Sequence, residues 1–336
     1  MLSSESNFSM TGEVLQDVKG SGKERPWRDK KVNALKVSDS FRRLNLEKRA
    51  DRTQYCGSIL EFNECMGDGH KKLIRANFCR DRLCPMCNWR RSGMLHGQIM
   101  SILHFVAQEQ EVRFIFLTLT VKNPTKDKLS ESIDSMFAGF HRLFQYKKVD
   151  GAVVGWVRVL EVTRNNYRHS KSYDTYHPHF HVLVAVKPSY FKGRDYIKQS
   201  LWAELWQKAL QVDYLPHVGI ELVKPKRKEQ TVESAVAETA KYTIKEADYI
   251  HEDTDEMDDV IEVLAVSLRN RRLIGYGKLF KNVKSKLKLQ DIESDEADLV
   301  GDKKKECNCS LCGGILQETL YKWHMGYKNY VSADVK

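Results

Sequence analysis

Three histidines alternate within HPHFHVLVAV: His177, His179 and His181. Successive side chains of an extended chain point to opposite faces, so the three imidazoles share one face while Phe180 and Val182 take the other. Imidazoles at i and i+2 on a strand can hold a divalent ion and leave positions open for a substrate oxygen. A further ligand has to come from a neighbouring element. Glu161 stands in the otherwise apolar RVLEVT, where an unpaired carboxylate is costly. Pairing that strand with the histidine strand brings Glu161 to the imidazoles; an ion pair with Arg158 or Arg164 is its alternative use. The expected catalytic ligand set is His179, His181 and Glu161, with His177 at its outer end.

Downstream, AVAETAKYTIKEADY places Glu238, Tyr242, Lys245 and Tyr249 at i, i+4, i+7 and i+11, one stripe of a helix read over 232–249. A phenol attacks a phosphate near neutral pH only when the phosphate is polarised and local charge favours the phenolate. Lys245 supplies charge of the right sign, or else pairs with Glu238 or Glu246.

The eight cysteines fall into two groups, Cys56, Cys65, Cys79, Cys84 and Cys87, then Cys307, Cys309 and Cys312. Such clustering in a reducing compartment favours metal over disulfides. Cys84-Pro-Met-Cys87 is a knuckle, and Cys65, Cys79, Cys84 and Cys87 form the expected tetrahedral Zn²⁺ set, with His70 able to replace one thiolate. Cys307, Cys309 and Cys312, joined by His324, are candidates for a second Zn²⁺, or for completing the first cluster. Arg80, Arg82, Arg90 and Arg91 flank the first knuckle. Arg269, Arg271, Arg272, Lys278 and Lys281 lie in a basic run near the C-terminal end. Both groups suit phosphate contacts.

The elements that position these residues follow from periodicity. Arg90–Gln108 reads as a helix, Val112–Val121 as a strand, Lys128–Tyr146 as a helix, then Val153–Thr163 and His177–Val186 as strands. Asp195–Leu210 reads as a helix, His217–Val223 as a strand and Val260–Arg269 as a helix, with the acidic HEDTDEMDD before it a solvated loop or helix start. Strands separated by helices around an open sheet give an α/β or α+β sandwich. Residues 1–50 read as a flexible basic segment with one short helix near Ser38–Arg49. Residues 51–92 read as a Cys-rich zinc-binding element, 93–290 as the catalytic domain and 291–336 as a Cys-rich tail. The 55 basic against 45 acidic residues leave a formal charge of +10, which suits a polyanionic partner. No apolar run approaches the roughly 18 residues of a membrane span, and the N-terminus lacks a signal pattern, so a cytoplasmic protein is expected.

In order, CRDRLCPMC, FIFLTLTV, RVLEVT, HPHFHVLV and ETAKYTIK resemble the HUH endonucleases over roughly residues 79–285, and most closely the rolling-circle replication initiators of small Gram-positive plasmids. The resemblance implies an α+β fold with a central antiparallel sheet flanked by helices. It implies His179 and His181 as the metal pair for Mg²⁺ or Mn²⁺, Glu161 as the acidic ligand, and Tyr242 as a single nucleophile forming a 5′-phosphotyrosyl link at the nick site of a double-strand origin. Glu238, one turn before Tyr242, replaces the second tyrosine of other members and implies termination by hydrolysis. Plasmid origin DNA, a host helicase and a host polymerase are the implied partners, and homodimerisation is left open. A conjugative relaxase, whose tyrosine usually precedes the histidines, and a transposase, usually shorter, are the neighbouring readings. A zinc-containing DNA-binding regulator without enzymatic activity is the alternative of a different class.

Overall fold

The computed structural model describes residues 10–18, 22–223, 236, 239, 245–301, 308–309 and 312–333. From the N-terminus run β1 (Met10–Val14), α1 (Trp27–Arg43), α2 (Glu47–Gln54), β2 (Ile59–Cys65) and β3 (Lys71–Ala76). Then follow α3 (Pro85–Glu109), β4 (Arg113–Thr120), α4 (Leu129–Gln145), α5 (Lys147–Ala152), β5 (Val153–Arg164), β6 (Tyr176–Val186), α6 (Gln199–Leu210) and β7 (Val218–Leu222). The described elements end with α7 (Thr254–Ser267), β8 (Ile274–Lys278), α8 (Leu279–Lys286), β9 (Leu316–His324) and β10 (Asn329–Ala333). These form two compact units: one from residues 1–90 and 298–336, the other from 91–297. The architecture is α+β, and each unit carries a five-stranded sheet whose pairings are all antiparallel.

The first unit corrects two expectations. The described part of residues 1–50 is not a flexible segment with one short helix near Ser38–Arg49: it contains β1, the 17-residue α1 and the start of α2. Trp27, Lys31, Ala34, Val37 and Phe41 stand at near-helical intervals on α1, and all are buried. Although dispersed in a charged stretch, this stripe supplies a full apolar face. Nor are the Cys-rich element and the C-terminal tail separate. The sheet runs β1-β10-β9-β2-β3, so C-terminal strands lie between N-terminal ones. Trp27 packs edge-on against Phe62 and Trp89, at 5.7 and 4.6 Å between ring centroids, and Phe62 meets Tyr321 at 5.9 Å.

In the second unit the sheet order is β7-β4-β6-β5-β8, with the histidine strand at its centre. One face of β6 carries Phe180, which packs against Phe137 and Phe140 of α4. Leu129, Ile133, Met136, Phe140 and Leu143 line the buried side of that helix at the expected spacing. Leu183 and Ala185 lie on the opposite face, in one cluster with Leu95, Ile99, Ile102 and Val106 of α3 and with the buried, helical Val236. The histidine face is thus apolar and helix-covered at one end of β6 and polar at the other. Burial of each large side chain in such a core contributes about 1.5–3 kcal/mol, so the central strand is firmly held.

The acidic stretch before α7 is a helix start. Asp253 caps it by accepting hydrogen bonds from the backbone N–H groups of Asp255 and Glu256, both at 3.0 Å. Acidic side chains in the first turn also suit the helix dipole. At its far end the expected helix 232–249 gives way: Lys245 is extended, and Glu246–Asp248 form a single 3-10 turn. Among the described residues no helix is long and apolar enough to cross a membrane.

Candidate metal centre

Strand register assembles the centre. β5 pairs with β6 so that Glu161 faces His179 directly, while β4 on the other side sets Thr120 against His179 and Thr118 against His181. His179, His181 and Glu161 are 6%, 6% and 1% exposed, and their ligand atoms converge. His179 Nε2 lies 3.1 Å from His181 Nε2, which lies 2.8 Å from Glu161 Oε2; the remaining side of this triangle measures 3.5 Å. Adjacent ligands of an octahedral ion bonded at 2.0–2.1 Å stand about 3 Å apart, so these atoms suit one face of such an ion. Nδ1 of His179 donates to the backbone carbonyl of His177 at 2.9 Å, which leaves Nε2 with its lone pair toward the centre. Phe116 stacks on His181, with ring centroids 5.3 Å apart and planes 24° from parallel.

Glu161 does not pair with Arg158 or Arg164. Arg158 lies over the rings of Phe137, Phe140 and Phe180, and Arg164 bridges Asp174 and Glu256. Instead the Lys245 ammonium reaches Glu161 Oε1 at 2.8 Å, from a side chain that is 53% exposed. Burial raises the Glu161 carboxyl, but its close interactions with His179, His181 and Lys245 outweigh that and hold the group well below the usual carboxylate range.

His177 is not part of the convergent group. Its Nδ1 donates to Asn123 Oδ1 at 2.8 Å, and Asn123 Nδ2 in turn donates to the Thr175 hydroxyl at 3.3 Å. Burial, reinforced by His179, lowers its imidazole to about 4, so it is neutral near pH 7. Asp248 is a neighbour that sequence reasoning missed. Burial raises its carboxyl to about 6, with Lys245 opposing and Glu161 reinforcing the shift. Its only sequence signal is a position three residues after Lys245. Glu238 and Tyr242 lie outside the described residues. Tyr249, the last member of the expected stripe, is completely buried.

The cysteines of the first unit form two groups that differ from the expected ones. Cys56, Cys79, Cys84 and Cys87 converge, all buried: Sγ separations are 3.5 Å for Cys56–Cys87, 3.6 Å for Cys56–Cys84 and 3.7 Å for Cys79–Cys87. Four thiolates around Zn²⁺ at about 2.3 Å lie about 3.8 Å apart. Backbone N–H groups of Cys79, Arg80 and Asp81 point at Cys56, Cys87 and Cys79 sulfurs at 3.3, 3.2 and 3.4 Å. Cys56, not Cys65, is therefore the fourth member. Cys65 closes β2, and the six-residue extended rise from Ile59 carries it about 20 Å further along. It lies instead with Cys309 and Cys312, its Sγ 3.2 Å from that of Cys312. His324 is not in this group. It ends β9, eight residues beyond Leu316, the partner of Cys65, and it stacks on Tyr327. Cys307 lies outside the described residues.

Beside the four-cysteine group Lys31 is 1% exposed, donating to the carbonyls of Gln54 at 2.6 Å and Cys56 at 2.9 Å. Burial lowers its ammonium, while Cys56, Cys84 and Cys79 oppose that shift.

The arginines divide. Arg91 is 1% exposed and donates to the Ile292 carbonyl at 3.1 Å, so it does not face a phosphate. Arg90 donates to the carbonyls of Leu299 and Val300 at 2.9 and 2.7 Å, and burial lowers it to about 10. Arg271 is held by Asp134, Ser130 and Ser267. Arg272, 64% exposed and paired with Asp291, and the partly exposed Arg80 and Arg82 keep surface-facing character.

Residues 70–331 match the family described as "Replication protein". A "Protein rep" of Lentilactobacillus hilgardii is 38% identical over 96% of this chain and 99% of its own length. Those of Bacillus amyloliquefaciens and Lactiplantibacillus plantarum are 38% and 39% identical, covering 98% and 95% of this chain and 99% and 98% of their own. No solved structure matches with significance.

Proposed function

Since the chain belongs to the Replication protein family, we propose that it initiates rolling-circle replication of a plasmid, as a metal-dependent single-strand endonuclease and strand transferase of HUH type acting at the double-strand origin. The observation that carries this reading is the buried convergence of His179 Nε2, His181 Nε2 and Glu161 Oε2 at the polar end of the central strand. Two imidazoles and one carboxylate fit Mg²⁺ or Mn²⁺, which when bound would polarise the scissile phosphate.

The chain's own residues do the rest. The carbonyl of His177 and Phe116 fix the ring planes of the ligand imidazoles. Tyr242 stands three positions before Lys245 in the sequence, and Lys245 is anchored on Glu161. The Tyr242 phenolate oxygen attacks phosphorus, forming the 5′-phosphotyrosyl bond as the bond to the 3′ oxygen breaks. That oxygen takes a proton and leaves as the 3′-OH from which a host polymerase extends. The Lys245 ammonium favours phenolate over phenol. In termination Glu238 removes a proton from the water that attacks phosphorus at the regenerated junction, as the bond to the 3′ oxygen breaks and that oxygen takes a proton and leaves as a 3′-OH. Arg80, Arg82 and Arg272 contact phosphates of the origin, whereas Arg90, Arg91 and Arg271 serve the fold.

The four-cysteine group is a structural Zn²⁺ site in this reading. Four neutral thiols would leave the Lys31 ammonium buried without a counter-charge, which is unfavourable, whereas a Zn²⁺–thiolate centre carries two net negative charges.

The test is mass spectrometry of the full chain after reaction with a labelled origin oligonucleotide and Mg²⁺ or Mn²⁺. The expected product is an adduct on Tyr242 that Tyr242→Phe abolishes. An adduct on another residue would reject the site assignment. A protein that binds the origin but forms no adduct with either metal is the non-enzymatic regulator.

A further inference from the structure

The cysteines of the tail meet neither His324 nor the first cluster; the fold brings them Cys65, 247 positions from Cys312, and His70, 239 positions from Cys309. We propose that Cys65, His70, Cys309 and Cys312 bind a second Zn²⁺, which fastens the C-terminal strands of the first unit to its β2–β3 hairpin. This inference is independent of the nicking reading.

Two opposed turns build the site. In the first, the Gly69 N–H donates to the Cys65 carbonyl at 2.9 Å and the Cys65 N–H to the His70 carbonyl at 2.8 Å, closing the hairpin between the strands. In the second, the Gly313 N–H donates to the Cys309 carbonyl and the Cys309 N–H to the Gly314 carbonyl, both at 2.8 Å. Both turns need positive φ, +67° at Gly69 and +75° at Gly313, a conformation that glycine adopts without strain. Residues 308 and 315 bridge at the base of the second turn, and the Met66 N–H donates to the Ile315 carbonyl at 2.9 Å. Cys65 also faces Leu316 across the β2–β9 pairing, so the two turns are held against each other by continuous backbone hydrogen bonding.

The donor atoms follow from that frame. Sγ atoms of Cys65, Cys309 and Cys312 all lie within 4.8 Å of one another, with Cys65 and Cys312 3.2 Å apart. His70 borders this trio: its Nδ1 is 3.8 Å from Cys309 Sγ, and one of its ring nitrogens lies within 4.8 Å of Cys312 Sγ. A Cβ on Gly314 would stand 2.8 Å from Cys65 Sγ and 3.4 Å from Cys312 Sγ, so only glycine leaves room for the converging sulfurs. Three thiolates and one imidazole in a tetrahedron are a donor set that selects Zn²⁺ over hard cations. Asp68 also reaches Cys312 but is exposed, and a carboxylate is the poorer partner for a thiolate-rich centre. Binding replaces the thiol protons of Cys65, Cys309 and Cys312, which leave to solvent, so affinity rises with pH.

The experiment measures zinc in the purified full chain by atomic emission, with circular dichroism as a folding control. Wild type is expected to hold two zinc ions. Cys309→Ser is expected to remove one and Cys84→Ser the other. Should Cys309→Ser fail to fold, His70→Ala, which alters a partly exposed side chain, is read by competition with a chromophoric chelator. Loss of even an outer-shell partner costs about 10–100-fold in affinity, so loss of a direct ligand should weaken one of the two ions by at least about 100-fold. Wild type holding one ion that Cys84→Ser abolishes, or two ions that both survive His70→Ala at unchanged affinity, overturns the proposal. So does sensitivity to Asp68→Ala in place of His70→Ala.

Discussion

Replacing Cys56 by serine tests the reassignment of the first cysteine group against the set that spacing favours. Structural zinc sites contribute about 10–16 kcal/mol of binding near pH 7; shared evenly among four ligands, one thiolate accounts for about 2.5–4 kcal/mol. Cys56 is completely buried and its sulfur lies 3.5 and 3.6 Å from those of Cys87 and Cys84. Cys56→Ser should therefore weaken that ion by about 10²–10³-fold. With zinc in excess over both dissociation constants, the same about 2.5–4 kcal/mol is lost from folding stability. The assay is urea unfolding of the full chain at fixed free zinc for Cys56→Ser, Cys65→Ser, Cys84→Ser and the two double variants that include Cys84. Residues sharing one ion are strongly non-additive, because the second substitution acts on a site already broken. Cys56 with Cys84 should thus cost clearly less than the sum of the singles, and Cys65 with Cys84 about the sum. The reverse pattern refutes the grouping.

Glu161→Gln removes the one negative charge among three ligands, so titration calorimetry should show Mn²⁺ affinity falling by more than about 100-fold; unchanged affinity would place the ion elsewhere. Arg91→Ala strands the buried Ile292 carbonyl and should cost about 1–3 kcal/mol of stability, whereas Arg272→Ala should cost less than about 1 kcal/mol. Origin-binding assays across salt should show Arg272→Ala lowering the salt slope by about 1, and no change there excludes its phosphate contact. For His177, whose folded imidazole is lowered from 6.5 to about 4, the unfolded chain takes up a proton first as pH falls. Stability should accordingly drop between pH 6.5 and about 4, and His177→Gln should flatten that part of the curve measured by urea unfolding at stepped pH; an unflattened curve assigns the loss to other groups.

Much of the second unit was legible because its signals are local. Alternation in HPHFHVLV and the helical stripe of Ile133, Met136 and Phe140 need no knowledge of the rest of the chain. Even the partnership of Glu161 with the histidine strand followed from the cost of an unpaired carboxylate in an apolar strand. What stayed hidden depends on distant pairing. Cys65 lies nearer in sequence to Cys79 than Cys56 does, and only the strand β2 between them reverses that order in space. His70 and Cys309 are 239 positions apart and meet because β9 pairs with β2. The buried Lys31 and the arginines folded onto carbonyls show the same limit. A charged side chain reads as surface until the fold shows which acceptor it meets.

The two ends of β6 divide the work between stability and chemistry. Leu183 and Ala185 tie the strand into a helix-covered core, and the same face, two and four residues earlier, carries the imidazoles. A strand fixed along half its length can hold ligand atoms converged at about 3 Å, which is the preorganisation that an ion site needs. Lys245 keeps its ammonium on Glu161 from a half-exposed side chain, so an incoming cation competes with it for the carboxylate and an incoming phosphate offers it a new partner. If the chain acts as proposed, exchange of Lys245 between Glu161 and a substrate phosphate would couple metal entry to DNA binding, because each ligand removes the electrostatic penalty that opposes the other. Mn²⁺ affinity measured with and without an origin oligonucleotide should rise several-fold in wild type, and Lys245→Met should bind Mn²⁺ more tightly alone and lose most of that coupling.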